Sequence, residues 1–361
     1  MHPTILATST ALPTEVTPQS VAYEHFARVL PDDRTRRKAR MIFDHAGVDT
    51  RHFSRPRAEY LDLKGFGDRN RRFQQDALAL AIRAARSALE QPGVDRSRVK
   101  YLILSTTTGL ATPSLDAPLA LAVELPPSVQ RIPLFGLGCA SGAASLARAA
   151  ALLRGDPEAL ALVVAVELCG LCFDPRDDTQ LGMVAAGLFG DGAAAVVMAG
   201  ARVPRPAALL PTVLDSETRL LSGTEHIMGW SFEDEGFRLV LDRELPHVVE
   251  KNIAAPIHDL LSRNDVQLSD VRFKIFHPGG PRVIEAVERG LGLPVGSAAT
   301  SRSVMAAVGN LSSASVLFVL DRVRTHDEPS AGDHALLIAP GPGFSVESSL
   351  LKFQRTTLAP P

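Results

Sequence analysis

Apolar positions recur along the chain in two alternating rhythms. Between residues 71 and 89, Ala and Leu return at three- and four-residue spacing, the mark of one buried helix face. Residues 99–106, 132–137, 159–167 and 191–198 are apolar runs of strand length bounded by Gly or Pro signals. Between them the pattern predicts helices over 111–125, entered at Thr112 and Pro113, and over 140–154, closed by Gly155. The segment 201–208 carries Pro204 and Pro206 and interrupts both rhythms. Beyond it strands are predicted at 209–215, 237–241, 272–276 and 334–339, and helices at 245–264, 281–290 and 305–324, with a polar excursion over 216–235. Strand–helix alternation on both sides of 201–208 predicts an α/β fold with helices on both faces of its sheets. It also predicts two halves, residues 1–201 and 202–361, that share a strand–loop–helix grammar without a short-period repeat.

Composition narrows this picture by exclusion. A length of 361 residues suits two domains or one large layered fold, and a net charge of −2 gives no bulk attraction to nucleic acid or to a membrane surface. The longest apolar stretch is only strand length, so no membrane span is expected. The first residues lack a basic segment followed by a long apolar one, so no signal peptide is expected, and three cysteines make no disulfide framework; together these predict a cytoplasmic protein. One basic run stands out, with Arg34, Arg36, Arg37, Lys38 and Arg40. It reads either as a solvated helix face or as a patch that contacts phosphates.

Candidate chemistry lies at three junctions between strand and helix. Cys139 follows Gly138 where an apolar strand gives way to a helix of small residues. A lone cysteine is commonly a small hydrophobe. A thiol at a helix mouth can instead be an activated nucleophile, because the helix N terminus favours the thiolate. Gly138, Ala140, Gly142 and Ala143 leave room for a substrate beside this sulfur. His277 ends a strand ahead of Pro278, Gly279, Gly280 and Pro281, a stiff turn that would aim its imidazole, although a histidine there can also satisfy turn backbone. Asn310 follows Gly309 ahead of an apolar helix, where it can serve as an N-cap, as Ser312 and Ser313 also can. Cys, His and Asn together suit acyl transfer. The histidine supports a thiolate and donates to an oxyanion, and the neutral amide adds a donor without charging the site. Cys169 and Cys172 form a CxxC pair, but no second pair follows at zinc spacing and no redox flank accompanies it, so they read better as thiols lining a pocket. Gly136, Gly138 and Gly142 do not keep the spacing of a dinucleotide turn.

In their order along the chain, Gly138-Cys139, Leu188-Phe189-Gly190-Asp191-Gly192, His277-Pro278-Gly279-Gly280-Pro281, Gly309-Asn310-Leu311-Ser312-Ser313-Ala314 and Gly341-Pro342-Gly343-Phe344 resemble the type III polyketide synthases, the chalcone and stilbene synthase-like enzymes of the thiolase superfamily. The resemblance covers nearly the whole chain. It implies a thiolase-like fold with two similar halves in a five-layered αβαβα arrangement, a homodimer, acyl-CoA and malonyl-CoA as substrates, and no metal or other cofactor. Residue by residue it implies that Cys139 carries the acyl chain, while His277 and Asn310 stabilise the enolate left when malonyl-CoA loses carbon dioxide. Phe189 matches a gatekeeper, and Leu239 falls where the family has a second, aromatic one. Cys169, Cys172, Trp230 and Ser312 fall at cavity-wall positions, and Thr112 at the position that reaches the partner subunit's cavity. Gly341, Pro342 and Gly343 belong to the final glycine loop, made stiffer here by Pro340 and Pro342. The run Arg34–Arg40 lies where family members bind the CoA phosphates. The bacterial branch, tetrahydroxynaphthalene synthase-like, is the most similar. A stand-alone ketosynthase making a single condensation remains an alternative, as does an inactive binding subunit of the same fold.

Overall fold

A computed structural model describes residues 2–174 and 176–356. The first half runs β1 (Thr4–Ala11), β2 (Glu15–Pro18), α1 (Gln19–Ala27), α2 (Asp33–Asp44), β3 (Thr50–Phe53), α3 (Arg57–Asp62), α4 (Gly65–Leu89), β4 (Val99–Ser105), α5 (Asp116–Ala122), β5 (Gln130–Leu134), α6 (Ser141–Gly155), β6 (Leu160–Leu168), α7 (Cys169–Cys172), α8 (Gln180–Leu188) and β7 (Asp191–Ala199). The second runs β8 (Leu209–Leu220), β9 (Met228–Phe232), β10 (Phe237–Leu241), α9 (Leu245–Asn252), α10 (Ala254–Ser262), β11 (Val271–Phe276), α11 (Pro281–Gly290), α12 (Ala299–Val308), α13 (Ser315–His326), β12 (His334–Gly341) and β13 (Ser345–Arg355).

Nine strands hydrogen-bond in the order β11-β12-β13-β8-β1-β7-β6-β4-β5, and β9-β10, a hairpin, and β2-β3, with α1 and α2 between its strands, form separate antiparallel pairs. Strand faces explain the layering. On β6, Leu160, Leu162, Val164 and Val166 pack against α4, while Ala161, Val163 and Ala165 face α6 and α13. On β12, Ala335, Leu337 and Ala339 face the same two helices, whereas Leu336 and Ile338 face α9, α10 and α11. Helix, sheet, paired helices, sheet, helices make five layers, and β6, buried on both sides, is apolar at every position but Glu167. The two sheet halves touch as strands only where Thr4 of β1 pairs with Thr212 of β8. The central helices come close because their contact is built from small residues: a Cβ on Gly142 would stand 2.2 Å from the Ser313 carbonyl oxygen. Among the described residues, no helix is long and apolar enough to cross a membrane.

Several elements depart from the pattern-based expectation. The helix predicted over 305–324 is two helices, α12 and α13, because Gly309 (φ +75) and Ser312 (φ +47) turn the chain between them. The helix predicted over 245–264 breaks into α9 and α10; Pro256 has no N–H to bond back to Asn252. The helix expected over 111–125 shrinks to α5, and the strand expected over 132–137 shifts to β5. Strand β8 continues to Leu220, well into the stretch read as a polar excursion, and pairs with β13 along its whole length.

Candidate active site

The strand β5 ends at Leu134, and Gly136 (φ +89) and Gly138 (φ +49) bend the chain into a 3₁₀ turn, Gly138–Ala140, that leads into α6. Cys139 rides on this turn, partly exposed between buried Gly138 and Ala140. The turn is held from beneath by the loop after β12. A Cβ on Gly138 would stand 2.6 Å from Pro342, and one on Gly341 would stand 2.5 Å from the Ala140 Cβ. Gly341 and Pro342 therefore support the cysteine turn, Gly343 packs against Leu220, and none of the three lines the cavity, which Pro340 and Phe344 reach.

His277 follows β11. Its N–H donates to the Ile338 carbonyl (2.8 Å), which extends the β11–β12 ladder by one residue, and its own carbonyl accepts from Gly279 N–H (2.9 Å). Asn310 lies between α12 and α13. Its N–H donates to the Leu188 carbonyl (2.9 Å), and its carbonyl accepts from Gly190 N–H (3.0 Å). Its side-chain Oδ1 accepts from Ser312 N–H (2.8 Å) and Ser315 Oγ–H (3.3 Å), which leaves the Nδ2 group as the free donor. Cys139, His277 and Asn310 line one cavity of about 500 Å³ counting its open mouth, together with Phe189, Leu239 and Phe344. Among the described residues its lining contains no Lys, Arg, Asp or Glu.

Burial controls the electrostatics. It pushes the Cys139 thiol up to about 12, opposed by the Ser312 hydroxyl 3.8 Å from the sulfur and reinforced by the nearby Glu167 charge. It also pushes His277 down to about 3. Both ring nitrogens of His277 are buried without a hydrogen-bond partner. A buried polar group without a partner is costly, so this imidazole is built to meet something that enters the cavity. Neither group ionises readily alone. Cys139 lies just ahead of the N terminus of α6, whose dipole favours a thiolate there.

A polar chain connects the sulfur to a carboxylate that sequence reasoning missed as part of the site. Ser312 Oγ lies 3.4 Å from Thr107 Oγ1, which donates to Glu167 Oε1 (3.1 Å). Glu167 also accepts from Thr107 N–H (3.0 Å), Thr108 Oγ–H (2.8 Å) and Ser313 Oγ–H. Burial raises its pKa against these hydrogen bonds. The signal lay in parallel pairing: β4 and β6 are neighbours, so the threonines after Ser105 fall beside the residue near the end of β6.

The other site candidates divide. Phe189 follows α8 in extended conformation and lines both the inner cavity and a second, outer one of about 870 Å³ counting its open mouth. Its ring packs on Phe173 (5.3 Å) and Trp230 (6.1 Å). Leu239 on β10 pairs with Trp230 on β9 and reaches the inner cavity. Cys169 and Cys172 do not line that cavity. They are free thiols buried in the core behind Phe189 and Leu239, their pKa values raised by burial, because the short helix α7 turns them inward. Thr112 is exposed and lies outside the cavities of its own chain. The basic run sits on α2, but none of it lines the outer cavity, which draws His25 and Arg28 from α1 and its flank. Arg36 bonds Asp33 and the Ala27 and Leu30 carbonyls, and Arg40 pairs with Asp44 and lies over the Tyr23 ring; Arg34, Arg37 and Lys38 are exposed.

Residues 2–202 match the family model described as chalcone and stilbene synthases, N-terminal domain, and residues 213–354 match the corresponding C-terminal domain. The chain is 40% identical over 350 residues to 1,3,6,8-tetrahydroxynaphthalene synthase of Streptomyces peucetius subsp. caesius, covering 97% of this chain and 93% of that one. It is 32% identical over 361 residues to a putative chalcone synthase of Bacillus subtilis (strain 168), covering 97% and 99%. Among solved structures, 1,3,6,8-tetrahydroxynaphthalene synthase from Streptomyces coelicolor A3(2), described as a bacterial type III polyketide synthase, superposes with a TM-score of 0.91 at 29% identity, covering 98% of this chain and 100% of that one.

Proposed function

The chain belongs to the chalcone and stilbene synthase family, the type III polyketide synthases, and from that premise we propose how its residues divide the work of a malonyl-CoA-dependent condensation. The observation that carries the assignment is the unpartnered, buried imidazole of His277 in one apolar cavity with Cys139 and Asn310. His277 takes the thiol proton, and the Cys139 thiolate attacks an acyl-CoA carbonyl, forming a thioester and releasing CoA as its thiol. A malonyl thioester then loses its carboxylate as carbon dioxide, and the electron pair of the broken C–C bond becomes an enolate. His277 and the Asn310 Nδ2 donate to the enolate oxygen. An uncharged, apolar lining favours neutral carbon dioxide over the carboxylate it replaces. The enolate carbon attacks the Cys139 thioester, the C–S bond breaks to free the thiolate, and the chain, longer by two carbons, is left on CoA; transfer back to Cys139 releases CoA for the next extension, and cyclisation of the grown chain ends the cycle.

The outer cavity admits the pantetheine arm past Phe189, and exposed Arg34, Arg37 and Lys38 on α2 are the phosphate contacts beyond its mouth. The substrates arrive as CoA thioesters and no step exchanges electrons with an acceptor, so the reaction calls for no metal or redox cofactor. The first half, 1–201, supplies the nucleophile and the second, 202–361, supplies His277 and Asn310. We assign the enzyme to the cytoplasm, where its three thiols stay free and CoA thioesters are at hand. A homodimer is supported by exposed Leu110, Leu121 and Phe135 around the sheet-edge strand β5, beside exposed Thr112. Sedimentation of the purified chain as a monomer at micromolar concentration would remove that reading. Mass spectrometry of products from a panel of acyl-CoA starters, including malonyl-CoA alone, tests the function. Products with several malonyl-derived units are expected. A single condensation would instead indicate a stand-alone ketosynthase, and no acylation of Cys139 by any thioester would indicate an inactive subunit.

A further inference from the structure

Arg51, in the middle of β3, is fully buried and touches both walls that meet at the gate. Its Nη1 donates to the Ala186 carbonyl (2.5 Å) and to the Phe189 carbonyl (3.0 Å), at the C-terminal end of α8 where helix carbonyls lack partners and carry partial negative charge. Its guanidinium lies between two rings, 5.6 Å from the Phe43 centroid and 5.4 Å from that of Phe53. Its stem fills the space beside the turn that carries Asn310. A Cβ on Gly309 would stand 3.0 Å from Arg51 Cγ and 3.1 Å from Cδ. The two walls are joined by a short parallel bridge between Phe189 and Asn310, closed by the bonds from Asn310 N–H to the Leu188 carbonyl and from Gly190 N–H to the Asn310 carbonyl.

We propose that Arg51 is a positioning residue that sets the aperture at Phe189 and the placement of Asn310 together, by clamping the end of α8 on one side and packing against Gly309 on the other. It lines the outer cavity and not the inner one. It acts through backbone it holds, so a change at Arg51 reaches the decarboxylation site and the gate at once, while the turn bearing Cys139, held by the loop after β12, stays in place.

The inference rests on the proposed synthase reaction for its catalytic consequence, so its first readout is independent of activity. Trp230 is the chain's only tryptophan, and its ring lies 6.1 Å from that of Phe189. In Arg51→Met, which keeps the stem and removes the donors, Trp230 emission should move to longer wavelength and acrylamide quenching should rise roughly twofold as the gate loosens. Arg51→Lys, with one cationic donor, should fall between it and wild type. With malonyl-CoA, kcat of Arg51→Met should drop about 100-fold, the size of effect a 1 Å misplacement produces, while alkylation of Cys139 by iodoacetamide keeps at least the wild-type rate. Superimposable emission and quenching in folded Arg51→Met would overturn the proposal, as would alkylation falling in step with kcat. If Arg51→Met fails to fold, Arg51→Lys is read by the same criteria, and wild-type emission with wild-type kcat overturns it. If the wild-type enzyme does not turn over malonyl-CoA, the functional reading fails, and the fluorescence comparison still decides the role of Arg51.

Discussion

Replacing Gly341 with Ala should cripple condensation without opening the fold. Gly341 does not have a left-handed φ, so its backbone tolerates a side chain and the effect is purely steric. The added methyl would stand 2.5 Å from the Ala140 Cβ, 2.7 Å from its nitrogen and 2.8 Å from the Leu137 carbonyl oxygen. Carbon atoms pack at about 3.5–4.0 Å, so one side must retreat by about 1 Å. Strand β12 is laced on both edges, to β11 and β13, and Gly341 itself pairs with Ser345. The freer partner is the turn 137–140, and that turn carries Cys139. A displacement of this size in a nucleophile costs about 100-fold in rate, and the overpacking costs about 1–3 kcal/mol of stability. The assay is carbon dioxide release from malonyl-CoA by purified Gly341→Ala, beside a far-ultraviolet thermal melt. Removing the opposing methyl in Gly341→Ala/Ala140→Gly should restore part of the rate, since one of the close contacts disappears. Wild-type turnover with an unchanged melt in the single variant would refute the reasoning.

The remaining predictions concern charge. In wild type, alkylation of Cys139 should level off once the thiol has passed its proton to His277. In His277→Ala it should keep rising through pH 9, because burial alone pushes the thiol up to about 12; coincident profiles would contradict this. Asn310→Asp places a carboxylate beside the developing enolate, so malonyl decarboxylation should fall far more than acylation of Cys139, and equal losses would remove the assigned role. Asp191, buried while accepting from Ser54 N–H and Gly170 N–H, is pushed from 3.8 up to about 6 by burial. The native state therefore holds this proton more tightly than the unfolded chain does. Stability is lost as pH rises from about 4 to about 6, by about 3 kcal/mol at 1.36 kcal/mol per pH unit, and stays lost above. Denaturation of wild type and Asp191→Asn across that window should diverge by this amount, and parallel curves would refute it.

Cys139, His277 and Asn310 were legible because each stands in a glycine-containing turn ahead of a helix, the first two after a strand and Asn310 after α12, a local signal that needs no knowledge of packing. Directions were not legible. Whether Cys169 and Cys172 line the cavity depends on how α7 turns after β6, and they lie in the core outside its lining. The carboxylate of Glu167 joins the site only through the register of β4 on β6, and Arg51 only through contact with α8, more than a hundred residues later in the chain. Gly309 and Asn310 read as a junction ahead of an apolar helix, yet the helix predicted over 305–324 ran across them; the positive φ of Gly309 and Ser312 divides it. Strand β13 escaped notice because Glu347, Ser348 and Ser349 are buried polar residues where a strand of this depth is ordinarily apolar.

The seam between the central helices has a consequence for how such an enzyme can diversify. At Gly142 and Ser313 the two halves approach backbone to side-chain position with no room for a single added carbon, one helical turn from the nucleophile. The hairpin bearing Trp230 and Leu239 stands apart from the main sheet and is bridged to the chain outside it between Phe237 and Phe173. A lineage can remodel what is made by redrawing that hairpin while the seam keeps the bond-forming step fixed, so new products are reachable by steps that never pass through a dead enzyme.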